Sequence, residues 1–235
     1  MKRWMGSAVV AWLAWGSVLS ATITGTVIFD GKPPKPKPID MRGDAACMKM
    51  HAQPQPSEDL VLGPGKTLAN VLVSVTAGLP AGASWPAPEA PVVLDQNGCR
   101  YEPHVAGAMV GQPFKVLNSD GILHNVHSYS TVNTPFNVAM PPAKKEINKS
   151  FGRAEGMFKI RCDVHAWMYA YVGVFPHPFF SVTQADGTFS IAGLEPGTYE
   201  LSAWHETLGV RKAIVTVKDA GAQSVSFSFG APAAN

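Results

Sequence analysis

Residues 158–168 read Phe158-Lys-Ile-Arg-Cys162-Asp-Val-His165-Ala-Trp167-Met168. They set a thiol, an imidazole and a thioether at Cys162, His165 and Met168, with two residues between each pair. The approach alternates, Met157, Lys159 and Arg161 against Phe158 and Ile160, which predicts a strand ending near the cysteine. The three donors then belong to a strand end and the tight loop after it. A soft thiolate, an imidazole and a weak thioether suit copper better than zinc or magnesium. One more imidazole would complete a trigonal site of two histidines and one cysteine with a long axial methionine.

Upstream, Asn118-Ser-Asp-Gly-Ile-Leu-His124-Asn125-Val126 supplies the candidate imidazole. Taken together, Gly111-Gln-Pro-Phe-Lys-Val-Leu-Asn-Ser-Asp120, His124-Asn125-Val126 and the Cys162, His165, Met168 loop resemble a cupredoxin over residues 90–175. The loop has the short spacing found in amicyanin; plastocyanin and azurin have longer ones. The resemblance implies Cys162, His124 and His165 as equatorial ligands and Met168 as the axial one. It implies that Asn125 hydrogen-bonds near the cysteine and pins the ligand loop, and that His165 presents an exposed edge to a partner. The bland alternative is a buried Cys and Met in a sandwich core beside an incidental histidine. A binuclear oxidase-type centre needs a second loop cysteine, and Phe158 stands where it would be. A structural zinc site collects more thiolates or harder ligands.

The chain has 235 residues, with 15% charged, 22 glycines and 20 prolines, which suits all-β modules joined by turns. It opens Met1-Lys-Arg-Trp, followed by an uncharged apolar run over 5–19 and small residues at Ser20 and Ala21, the pattern of a secretory signal peptide over 1–20. Cleavage after Ser20 or Ala21 is expected; an uncleaved anchor is the alternative. No other stretch is long and apolar enough to span a bilayer. Losing Lys2 and Arg3 takes Lys+Arg from 19 to 17, equal to the 17 Asp+Glu. A formally neutral chain argues against nucleic acid as a partner.

Three cysteines in an exported chain leave Cys47 and Cys99 once Cys162 is assigned to metal. A Cys47–Cys99 disulfide is the economical reading. A second soft site is the other, because Cys47-Met-Lys-Met-His51 crowds sulfur and imidazole together.

Thr22–Asp30 is expected as a first strand and Val71–Val75 as a second, with an extended Lys32–Pro38 and an irregular 41–60 between them. Residues 79–91, with four prolines, read as a linker. The C-terminal segment is expected as hairpins: Phe180–Thr183 turning at Asp186-Gly187 into Thr188–Ala192, Glu195-Pro-Gly197 turning into Thr198–Trp204, then strands Lys212–Val217 and Ser224–Phe229. Ala185-Asp-Gly-Thr-Phe-Ser-Ile-Ala-Gly-Leu-Glu-Pro-Gly-Thr-Tyr199, with Ile23-Thr-Gly-Thr-Val27 and Ala69-Asn-Val-Leu-Val73, resembles the carboxypeptidase regulatory-like, transthyretin-like sandwich. The expected fold is all-β: a Greek-key cupredoxin sandwich over 88–178, inserted in or packed beside a second small sandwich formed by 22–78 plus 179–230.

The other candidates are weaker. His127, three past His124, falls on the opposite face of a strand. Trp167 is expected to pack over the site, Met140 to line a pocket, and His104 to be a satisfied polar residue; His51, His177 and His205 lack spaced partners. No Ser-His-Asp order, phosphate loop or carboxylate pair supports hydrolysis. Four protein ligands would close a metal to substrate, unlike catalytic sites. The expectation is therefore not an enzyme but a periplasmic carrier of single electrons with one mononuclear type 1 copper. Its partners would be a c-type cytochrome, a dehydrogenase or a membrane respiratory complex. The other classes are a copper carrier or storage protein, and an interaction module with structural copper.

Overall fold

The computed structural model describes residues 20–35, 37–218 and 221–230. The expected signal peptide falls almost wholly on residues 1–19, outside the described residues. Among the described residues no helix is long and apolar enough to cross a membrane.

The protein is all-β, with strands in four sheets around two cores. The first core unites the two ends of the chain. Strand Ala21–Asp30 lies at the centre of one sheet, antiparallel to Thr188–Leu194 and parallel to Ala222–Ser224 and Phe227–Gly230. The facing sheet runs Phe180–Val182, Leu72–Ala77, Gly197–His205, Gly209–Val217, all antiparallel. Alternation along each strand sends Ile23, Val27, Phe29, Val73, Val75, Ile191, Tyr199, Leu201 and Phe229 into the space between.

The second core lies within residues 92–175. One sheet runs Val105–Met109, Tyr169–Phe175, Glu155–Arg161, His124–Ser128, Asn137–Met140. The other runs Arg100–Glu102, Val92–Asn97, Pro113–Asn118, Glu146–Ser150. Leu94, Phe114, Val116, Val126, Phe151, Phe158, Ile160 and Val172 fill it, together with Met140, Cys162 and Met168. The sandwiches meet where Phe175 stacks on Phe180 (centroids 4.7 Å) and Tyr171 meets Trp204 edge-on (5.0 Å). Residues 79–91 form no strand, as expected of a linker, but Trp85 sits edge-on to His177 and Phe179.

Three local expectations are corrected. Phe180–Val182 and Thr188–Leu194 are not a hairpin: one pairs with Leu72–Ala77, the other with Ala21–Asp30. Glu195-Pro-Gly197 likewise carries the chain from one sheet to the other. Pairing with distant N-terminal strands wins over local pairing because it closes the core on both sides. Gly197–His205 and Gly209–Val217 do form a hairpin. Residues 224–229 are not one strand but two short ones, because the chain closes over Gly25: the Val225 N–H donates to the Thr24 carbonyl (2.9 Å) and a Cβ at Gly25 would lie 1.8 Å from the Val225 carbonyl oxygen. Only glycine permits that approach.

A third, smaller cluster joins Met41, Cys47 and Cys99 with Ile39, Ile122 and Trp167. The irregular N-terminal segment holds one helix, Ala45–Lys49, capped by Asp44. Cys47 and Cys99 are disulfide-bonded, which removes the alternative of a soft site on free Cys47.

Candidate metal centre

Strand Glu155–Arg161 ends at Cys162 because the chain turns there. The Met168 N–H donates to the His165 carbonyl and the Cys162 N–H to the Met168 carbonyl (2.9 Å each). These bonds fold the loop so that the Cys162 and His165 side chains converge. His124 opens strand His124–Ser128, opposite Met140. Asn118 steadies the loop before it, donating to the carbonyls of Ile122 and Met140 (2.9 Å each).

The Nδ1 atoms of His124 and His165 lie 3.0 Å apart, and Cys162 Sγ lies 4.0 and 3.7 Å from them. All three side chains are buried. Two nitrogens and a sulfur held in one plane about 2.0–2.3 Å from a metal stand about 3.5–3.7 Å from each other, so this triangle fits one ion after small adjustments. Burial pushes the Cys162 thiol up, but the two imidazoles and the backbone N–H groups of Asn125 and His165 outweigh it and bring its pKa down to about 6. The cluster thus favours the thiolate, the form that binds metal.

Asn125 ties the loop to the His124 strand: its Oδ1 accepts the Asp163 N–H, and its Nδ2 donates to Asp163 Oδ2 (3.1 Å) and Asn137 Oδ1 (2.7 Å). Met168 is buried in the same core. The Trp167 ring lies 5.1 Å from the His165 ring, and its N–H donates to the Cys99 carbonyl (3.2 Å). His127 points away and meets Asp163 (2.9 Å). His104 is held between Glu206 and Glu58, His51 bonds the Gly98 carbonyl, His177 the Val75 carbonyl and His205 the Thr207 N–H; none reaches Cys162. Met140 is fully buried with Gln96 Nε2 on its sulfur (2.9 Å).

The sequence did not point to Asp44 and Asp120. Asp120 Oδ2 lies 2.8 Å from His124 Nε2, and Asp44 Oδ2 lies 3.2 Å from His165 Nε2. Burial lowers the His124 pKa, yet Asp120 and the Cys162 thiolate overcome it and raise it to about 9; His165 is raised in the same way by Cys162 and Asp44. Asp120 precedes His124 by four residues and could have been weighed from spacing. Asp44 stands 121 residues from His165, and no pattern links them.

The expected exposed edge of His165 is corrected: the side chain is 2% exposed. Asp44, Cys47 (Sγ 3.7 Å from Nε2) and Trp167 cover it. Two further ligand-like groups, Asp44–Cys47–His165 and Cys99–Asp120–His124, contain disulfide sulfurs, which are not thiolates. That leaves His124, Cys162 and His165 as the group among the described residues whose donor atoms are free and close enough together to hold a metal ion.

No family model and no curated protein matches the chain. Solved structures do. A copper-containing nitrite reductase from Thermus scotoductus SA-01 matches at 19% identity over 42% of this chain, with a TM-score of 0.34. The chain spans only 25% of that enzyme. A purple cupredoxin from Nitrosopumilus maritimus matches at 21% identity over 35% of this chain and 97% of its own (TM-score 0.30), and an oxidised amicyanin variant at 22% over 43% and 97% (TM-score 0.32).

Proposed function

We propose that this protein binds one copper ion that His124, Cys162 and His165 would hold, with Met168 as a weaker fourth donor, and carries single electrons between redox partners in an exported setting. The observation that carries this reading is the buried convergence of two imidazole Nδ1 atoms on a thiol whose pKa is drawn down to about 6. Two histidines, a cysteine and a methionine are the donor set of electron-transfer copper sites. Copper bound there would supply one-electron exchange between Cu(II) and Cu(I).

The chain's own residues do the rest. Cys162 and the two imidazoles hold one arrangement in a water-excluded core. Asn125 keeps the loop from opening when the charge of the site changes. That rigidity suits electron transfer, and it opposes release of the metal to another protein. The Cys47–Cys99 disulfide supports an oxidising compartment. Partners of the expected kind are a c-type cytochrome, a dehydrogenase or a membrane respiratory complex, and His165 being covered means that the contact face must include the covering segment or lie beside it. The second sandwich, with its carboxypeptidase regulatory-like pattern, is proposed as scaffold.

One optical spectrum of the copper-loaded protein tests this. A strong thiolate-to-Cu(II) band is expected, lost entirely in Cys162→Ser. A band that survives that substitution, or copper that leaves on reduction, would sink the electron-carrier reading.

A further inference from the structure

The disulfide stands between the two carboxylates that face the histidines. On one side Asp44 caps helix Ala45–Lys49: its Oδ1 accepts the N–H groups of Ala46 (2.7 Å) and Cys47 (3.1 Å), while its Oδ2 turns to His165 Nε2. On the other side Asp120 accepts the N–H groups of Gly98 (2.6 Å) and Cys99 (2.8 Å), and its Oδ2 also meets His124 Nε2. Gly98 and Cys99 are the two central residues of the turn between Val92–Asn97 and Arg100–Glu102, both at positive φ (62° and 54°). A cysteine in that conformation is strained, and the Asp120 carboxylate holds it by accepting both N–H groups. Each carboxylate thus grips the backbone of one half-cystine with one hand and one imidazole with the other.

We propose that Asp44 and Asp120 are positioning residues of the metal centre, braced as a pair by the Cys47–Cys99 bond, and that they lower its redox potential and tighten its hold on copper. This rests on the copper reading above. A ring Nε2–H donated to a carboxylate fixes the tautomer and leaves the Nδ1 lone pair aimed at the metal. It also makes the imidazole a stronger donor. The charge acts in the same direction. With both carboxylates ionised, reduction adds an electron where negative charge is already in surplus; without them it discharges a positive site. In a buried site this difference is weakly screened. Asp120 is 3% exposed and Asp44 32%, so Asp120 has the larger effect.

The rival explanation is that Asp44 only caps a helix and Asp120 only holds a turn. Asparagine separates the two at Asp44, because it caps helices as well as aspartate and keeps an acceptor oxygen while removing the charge; at Asp120, whose Oδ1 and Oδ2 each accept a turn N–H, it also gives up one of those bonds. Asp44→Ser adds a second check, since serine still caps but is too short to reach His165. The experiment uses the full copper-loaded chain and reads the thiolate band, the midpoint potential and copper loss to a chelator. In Asp44→Asn, Asp44→Ser and Asp120→Asn the band is expected to persist and the potential to rise, most in Asp120→Asn. Copper affinity should fall about 10–100-fold, the usual effect of removing such a partner. Replacing both cysteines, Cys47→Ser with Cys99→Ser, should move the potential in the same direction. An intact band with an unchanged potential in both asparagine variants would overturn the proposal while leaving the copper reading standing. If Asp120→Asn does not fold, the two Asp44 variants decide. A wild-type protein with no thiolate band would overturn the copper reading and this inference with it.

Discussion

The two sandwiches use the same apolar vocabulary and bury different things with it. The core made by the chain ends is filled by aliphatic and aromatic side chains, with His177 and His205 tucked at its border as neutral groups. The core within residues 92–175 places Cys162, His124, His165, Asn118 and Gln96 inside, and most of their polar atoms find partners. Polar atoms in a core are costly unless satisfied. A fold that needed only stability would resemble the first sandwich. The polar cluster in the second is therefore better read as a site than as packing.

Cutting the chain breaks this comparison most sharply, with an all-or-none effect. A fragment of residues 179–235 should show no cooperative melt, because Ala21–Asp30 is the centre of one of its sheets and Leu72–Ala77 an inner strand of the other. A fragment of residues 88–178 should melt cooperatively and show the thiolate band, yet bind copper about 10–100-fold more weakly, since Asp44 and Cys47 are gone. Calorimetry on the first fragment decides the matter: a cooperative transition there would mean that the C-terminal strands fold without their N-terminal partners.

Phe229→Ala probes the apolar core alone. Phe229 is fully buried in that core, paired with Phe29 across the strands, so its truncation should cost about 3–5 kcal/mol by denaturant titration. The copper band should be unchanged. A shifted band would show that the two cores are coupled more tightly than their separate packing implies.

The smallest effect is a pH dependence placed in the first sandwich. Burial, assisted by His104, lowers the His205 pKa to about 4 against an ordinary value near 6.5. Between those values the unfolded chain takes up a proton that the folded chain refuses. The contribution is fully present above about pH 6.5 and is lost as pH falls through about 4, amounting to about 3 kcal/mol at most. In melts at neutral and mildly acidic pH, wild type should lose stability on acidification relative to His205→Leu, which lacks the titrating group. Curves that stay parallel would remove His205 as the cause.

The candidate site was legible to unequal depth. Cys162 and His165 share one loop, so ligand chemistry and spacing pointed to them; His124, which lies on the strand that pairs with Glu155–Arg161, was assigned through the resemblance to cupredoxins. Cys47 and Cys99 could be paired by elimination. Asp44 could not be found that way: an aspartate before a short helix reads as a cap, and it is one. Its second contact exists only because the disulfide brings that helix over the ligand loop. The same covering is why His165, expected at the surface, is buried.

Residue order alone determined the local elements: alternation set which side chains face inward, and donor chemistry set which atoms could bind a soft metal. Those properties depend on neighbours in the chain. The tertiary structure decided which strands pair, and so turned the expected hairpins into crossings between sheets, split the last strand over Gly25, and laid residues 40–51 against the site. The physical reason is that strand pairing and burial depend on which distant segment offers a free edge and an apolar face, and turn residues specify a reversal without naming the partner on its far side.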